Sequence, residues 1–117
     1  MAPALMTETQ SDQWINQEEI FGPIASVIRV RDYDEALAAA NGTRFGLSSG
    51  ICTTSLKYAS DFKRNSRAGL VAVNLPTAGI DFHVPFGGRG ASSYGPRELG
   101  TAARDFYTVT KTRYTLA

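Results

Sequence analysis

The sequence predicts an α/β fold, and three observations carry that expectation. A mostly apolar run rich in β-branched residues spans 24–30 (IASVIRV), and further strand-like segments follow at 47–53 (LSSGICT) and 70–75 (LVAVNL). Between them lie two stretches with helical character, EALAAAN and SLKYASDFKRNSRAG. Gly-Pro, Asn-Gly and Ala-Gly breaks punctuate the segments where the chain must turn. Strands alternating with helices of roughly ten residues imply right-handed crossovers and a parallel sheet, with ligands outside the carboxyl ends of the strands. The order β-α-β-α-β therefore places function beside Leu75 and Pro76.

Each element has a local cause. The run 24–30 is mostly apolar on both faces until Arg29, as a buried central strand would be. Asp32 stands three residues before Glu35, which resembles a capping box with Asp in place of Ser or Thr, and Asn41-Gly42 would end the helix that follows. In the second helix Leu56, Ala59, Phe62 and Ser66 share a face, and Gly69 is expected to close it. The third strand starts straight after that glycine.

Residues 76–95, PTAGIDFHVPFGGRGASSYG, hold five glycines and two prolines without a clear period. A loop of this length in a compact domain is usually functional or linking. Pro96 suits a first helical position, and Leu99, Ala102, Ala103 and Phe106 would form the apolar stripe of a helix through RELGTAARDFY. The tail TVTKTRYTL alternates as an exposed strand does, and such a strand needs a partner edge, which a neighbouring subunit could supply.

Composition narrows the function classes. The 117 residues fit one domain, with 12 basic against 11 acidic side chains and a net charge of +1, so no field draws the chain to nucleic acid or to an anionic membrane. No apolar run approaches the roughly 18 residues of a membrane span, and the N-terminus MAPALMTETQSDQW has no export signal. One cysteine, Cys52, and one histidine, His83, make neither a disulfide nor a metal cluster. A cytoplasmic location is expected.

The stretch EEIFGP, residues 18–23, is the oddest: two carboxylates run into an apolar pair and then a rigid break. Taken with VNLP, PFGG and a final RELG, it makes the chain resemble the C-terminal part of the NAD(P)-dependent aldehyde dehydrogenases. NLPTAGIDFHVPFGGRGASSYGPRE resembles more particularly the branch that oxidises α-ketoglutarate semialdehyde. The resemblance implies that Glu19 hydrogen-bonds the nicotinamide ribose of NAD or NADP and that Phe21 packs near the nicotinamide ring. A carboxylate accepts two hydroxyl bonds, and an aromatic face excludes water around a transferring hydride, so the residue types suit those roles. It also implies that Ile80 and Phe82 line the aldehyde tunnel, and that residues 1–107 belong to the catalytic domain while residues 108–117 are an oligomerisation strand.

The family's nucleophilic cysteine, general-base glutamate, oxyanion-hole asparagine and Rossmann domain would all lie upstream of Met1. No catalytic residue is assigned here, and the chain alone is expected to bind NAD weakly or not at all and to be inactive. Its expected partners are an aldehyde or semialdehyde substrate in the complete enzyme and either further copies of the chain or the missing N-terminal part. Gly90 departs from the lysine that many members carry after PFGG-x, which bears on how that loop is anchored. The alternative function is a non-catalytic interaction module that self-associates or pairs with a full-length homologue. A thiol hydrolase built on Cys52 and His83 is disfavoured, since nothing near Cys52 lowers a thiol pKa and a strand cysteine is ordinarily a small packed residue. GGRGAS lacks the Lys-Ser/Thr ending of a phosphate loop, and Arg89 and Arg97 read as solvated cations, Arg97 pairing with Glu98 or Asp105.

Overall fold

The computed structural model describes residues 2–79 and 81–117. Its elements run β1 (Ala4–Thr9), α1 (Trp14–Gln17), β2 (Ile24–Ile28), α2 (Tyr33–Asn41), β3 (Ser48–Ile51), α3 (Leu56–Asn65), β4 (Leu70–Val73), a 3-10 turn (Gly90–Ser92) and α4 (Ala102–Tyr107). The β-α-β-α-β order stands, and the two pairings between strands among the described residues are parallel.

The strands divide differently from the single sheet expected. β3 pairs with β4 in register from Ser48↔Leu70 to Ile51↔Val73, whereas β2 pairs with β1, a strand the sequence reading left unassigned. A register shift between Met6 and Thr9 bends β1, and there Glu8 takes φ 56°. β2 is exposed over Ala25, Ser26 and Val27 rather than buried on both faces.

The helices follow their local signals more closely. Asp32 Oδ1 accepts a hydrogen bond from the Glu35 N–H at 2.9 Å, and Glu35 Oε2 accepts one from the Arg31 N–H at 2.8 Å. This is a capping box displaced one residue outward, and Gly42 caps the far end of α2. Ser55 caps α3, which ends at Asn65 with Ser66 as its extended C-cap, so Gly69 does not close it. Gly69 is needed for space: a Cβ there would lie 2.0 Å from the Gly87 carbonyl oxygen, where the loop carrying PFGG crosses the start of β4.

α2 and α3 lie side by side and run the same way. Tyr33 at the start of α2 stacks on Tyr58 with ring centroids 4.5 Å apart and donates to Asp61 Oδ2 at 2.7 Å. At the other end the Asn41 amide donates to the Asn65 carbonyl at 3.0 Å and accepts from the Arg67 N–H at 2.8 Å. Phe62 and Ala68 are the buried apolar side chains among the described residues.

The helix expected from Pro96 begins only at Ala102. Leu99 and Gly100 take φ 63° and 50°, Phe86 and Glu98 form an antiparallel bridge, and the Gly100 N–H donates to the Phe82 carbonyl at 3.0 Å. That clasp uses up the residues a first turn would need. Arg97 pairs with neither Glu98 nor Asp105; its Nη1 is enclosed beside Gly69 and Gly87 without a hydrogen-bond partner. Residues 108–117 form no strand and are exposed throughout.

The chain exposes 9487 Å². A compact monomer of 12.6 kDa exposes about 6,200 Å², and its radius of gyration is about 13 Å against 18.5 Å here.

Candidate functional site

Three loops converge near the amino end of β3. The first is EEIFGP, entered from α1 through the Glu18 N–H, which donates to the Trp14 carbonyl at 3.0 Å. It leaves through Pro23, whose carbonyl accepts from the Ala4 N–H at 3.0 Å. Between them Phe21 sits at φ 54°, a left-handed conformation that costs a bulky residue energy, with its side chain 93% exposed. An aromatic ring held in solvent by strained backbone is poor packing and good presentation.

Glu19 is exposed and lines a cavity of about 400 Å³ together with Thr43, Phe45, Arg67 and Ser92. The second loop, residues 42–47, supplies Thr43 and Phe45; the third, the Gly90–Ser92 turn, supplies Ser92. Ser92 Oγ accepts from the Gly46 N–H at 3.0 Å, the Arg89 N–H donates to the Gly46 carbonyl at 2.9 Å, and the Ala91 N–H donates to the Arg44 carbonyl at 2.9 Å. A Cβ at Gly90, which sits at φ 56°, would fall 2.4 Å from that Arg44 oxygen. Glycine at position 90 thus anchors the loop through backbone contact where a lysine side chain would collide. GGRGAS is turn structure, as its sequence suggested.

A second cavity, of about 300 Å³, lies at the carboxyl end of β4, bounded by Leu75, Pro76, Thr77, Asp81, Val84 and Phe86. Phe82 does not line it: its side chain is 70% exposed and its ring lies 3.8 Å from that of His83. Ile80 lies outside the described residues. Asp81 Oδ1 meets His83 Nδ1 at 2.8 Å and accepts the His83 N–H at 3.0 Å, which holds the Asp81 carboxyl below its ordinary pKa, the backbone bond contributing most. Cys52 is exposed, one residue past β3, rather than packed in the strand, and it is remote in sequence and partner from this pair.

Sequence reasoning missed two residues that shape these loops. Asn74, at φ 55°, turns its amide onto Thr53, accepting from its N–H at 2.8 Å and donating to its carbonyl at 2.9 Å, and so extends the β3–β4 ladder by a side chain. Its place before Leu-Pro was the available signal. Arg44 ion-pairs with Glu18 at 2.5 Å across 26 residues of sequence, and no local pattern announces such a contact.

The chemistry available is recognition. Glu19 offers two acceptor oxygens and Phe21 an aromatic face, which fits one sugar and one flat ring of a dinucleotide; the residues here fit part of such a cofactor. Among the described residues no cluster of metal ligands exists, and no helix is long and apolar enough to cross a membrane.

Comparison with known proteins gives the arrangement a family. The sequence pattern of the aldehyde dehydrogenase family matches residues 1–113. The α-ketoglutarate semialdehyde dehydrogenase of Haloferax volcanii is 47% identical over 113 residues, 96% of this chain and 23% of that protein. The α-ketoglutaric semialdehyde dehydrogenase of Bacillus subtilis is 44% identical over 110 residues, 94% of this chain and 22% of that protein. Among solved structures, the NAD-dependent aldehyde dehydrogenase of Sinorhizobium meliloti superposes with a TM-score of 0.82 at 38% identity, covering 88% of this chain and 20% of that one. The indole-3-acetaldehyde dehydrogenase of P. syringae, solved with NAD+ and IAA, gives 0.83 at 38% identity over 92% of this chain and 21% of that one. The chain spans about a fifth of the length of these relatives. It belongs to the aldehyde dehydrogenase family.

Proposed function

We propose that this chain is the C-terminal part of an NAD(P)-dependent aldehyde dehydrogenase that oxidises a semialdehyde to a carboxylate, with residues 1–107 in the catalytic domain and residues 108–117 as an oligomerisation tail. The observation that carries the reading is the EEIFGP turn, which holds an exposed Phe21 on left-handed backbone two residues after Glu19, itself a lining residue of the cavity of about 400 Å³. Glu19 accepts the two hydroxyls of the nicotinamide ribose, and Phe21 covers the ring and keeps water from it. When bound, NAD or NADP accepts the hydride of the aldehyde. Phe82, with Ile80, borders the aldehyde path, and the α-ketoglutarate semialdehyde branch is the substrate class that the Haloferax and Bacillus relatives support.

The large exposed surface supports an assembly in which further protein covers β1–β2 and the open side of β3–β4, from the rest of the enzyme and from other copies. One free cysteine suits a reducing cytoplasm. Alone, the chain holds too few cofactor contacts for more than millimolar affinity, about −4 kcal/mol.

The test replaces the matching segment of the Bacillus subtilis enzyme with this chain. The hybrid is expected to form NADH from α-ketoglutarate semialdehyde, and Glu19→Gln is expected to lower turnover by on the order of a hundredfold by letting the ribose shift. A folded hybrid whose Glu19→Gln variant turns over as fast as its parent overturns the assignment.

A further inference from the structure

The loop that carries Glu19 and Phe21 is weakly tied. None of the backbone hydrogen bonds described involves residues 19, 20 or 21, and none of their side chains makes a hydrogen bond among the described residues. Just ahead of it the Gln17 side chain donates to the Ser11 and Gly42 carbonyls at 2.6 and 2.9 Å; within residues 18–21 the side-chain bond described is that of Glu18, which meets Arg44 Nη2 at 2.5 Å. Arg44 is itself fixed at both ends: its carbonyl receives the Ala91 N–H, and its guanidinium carbon lies 5.0 Å from the centre of the Phe45 ring.

We propose that Arg44 is a positioning residue that clamps the Glu18–Glu19 loop to the Gly90–Ser92 turn and thereby sets where Glu19 and Phe21 meet the nicotinamide nucleotide. The inference rests on the cofactor role proposed for those two residues. Arg44 and Gly90 act as one device. Glycine lets the turn close onto the Arg44 backbone, and with that backbone held the guanidinium reaches Glu18 from a fixed base rather than from a mobile loop. A side chain at position 90 would push the Arg44 carbonyl away and move the clamp with it. The guanidinium is 61% and the carboxylate 39% exposed, so the pair lies in reach of salt and its effect is modest.

In the hybrid dehydrogenase, Arg44→Ala is expected to raise the KM for NAD about three- to fivefold, within what an exposed pair supplies, and to leave the KM for the aldehyde unchanged. Arg44→Lys should recover part of the loss. The exchanged pair Glu18→Arg with Arg44→Glu should recover more than either single change, and about 1 M salt, where charges are screened within roughly 3 Å, should bring the parent to the level of Arg44→Ala. A merely structural role would shift both KM values together and would not respond to charge exchange. An Arg44→Ala variant with unaltered NAD KM in an active hybrid overturns the clamp. An inactive but folded hybrid overturns the proposed function, and hydrogen exchange across Ile20–Gly22 then reads the clamp by itself: unchanged exchange in Arg44→Ala refutes it.

Discussion

The α2–α3 pair and the loop region 76–100 are built to opposite rules. Along α2 and α3 the chain completes its own contacts: Tyr33 finds both Tyr58 and Asp61, Asn41 pairs with backbone on both sides, and the helix starts are capped. Across the described residues of 76–100 the backbone is tied to distant segments, Phe86 to Glu98 and residues 89–92 to 44–46; Leu99 and Gly100 sit in left-handed conformations, Arg97 Nη1 has no partner among the described residues, and Phe82 and Tyr94 face solvent. The helical pair supplies stability from local sequence, while the loop region spends stability to hold groups in place for contacts made elsewhere.

The strongest way to break that contrast is at Gly69, between α3 and β4, where the loop region crosses. Gly69→Ala puts a methyl group against the Gly87 backbone, and the hybrid is expected to lose about 2–4 kcal/mol of stability, read from urea unfolding. Because a methyl group has no rotamers and the Gly87 oxygen that it meets is backbone, no side-chain rotation can relieve the collision; a loss within a few tenths of a kcal/mol would mean the loop does not cross β4 there. Next in size is Asp32→Ala, which removes the cap of α2 and should cost about 1 kcal/mol by the same measurement.

Tyr33→Phe sharpens the contrast through pH. Partial burial, and then the hydrogen bond to Asp61, push the Tyr33 pKa up to about 12 from its ordinary 10.0. The folded state therefore keeps a phenol proton that the unfolded chain gives up first. Its contribution is complete below about pH 10 and falls away as pH rises toward about 12. Tyr33→Phe should lower stability slightly at neutral pH and remove the part of the alkaline decline that belongs to this residue, as seen in melting temperatures taken across that window. An identical decline in both proteins would show that Tyr33 titrates freely.

Much of the helical pair was legible because its causes are local. Asp32 and Glu35 announce a cap, Asn41-Gly42 an end, and Ala59, Phe62 and Ser66 an inward face, whereas Leu56, expected on that face, is 85% exposed. EEIFGP was legible as an anomaly, and its strained Phe21 is the physical form of that anomaly. The division into two sheets was not, because β1 and β2 are joined through pairing that depends on register across a turn of backbone, and ALMTET has too little hydrophobic alternation to announce a strand. The helix expected after Pro96 failed for a related reason: the apolar spacing was correct from Ala102 onward, but Leu99 and Gly100 were needed to clasp Phe82, a contact made 18 residues away. Arg44 and Glu18 are likewise partners only in three dimensions.

The crossing of the Gly90–Ser92 turn over residues 44–46 also fixes an order of assembly. Its bonds join residues 43–47 positions apart, from Arg89–Gly46 to Ala91–Arg44, whereas β3 and β4 pair at a separation of 22. Closing the longer loop costs more chain entropy and can be rewarded only once the shorter one has given it a surface to land on. A chain emerging from a ribosome is therefore expected to form β3-α3-β4 first, with Gly69 leaving room beside β4 for the later segment. The loops around the Glu19 cavity are then the last to acquire their shape, since the Arg44 backbone is not seated until residue 91 has been synthesised and folded back.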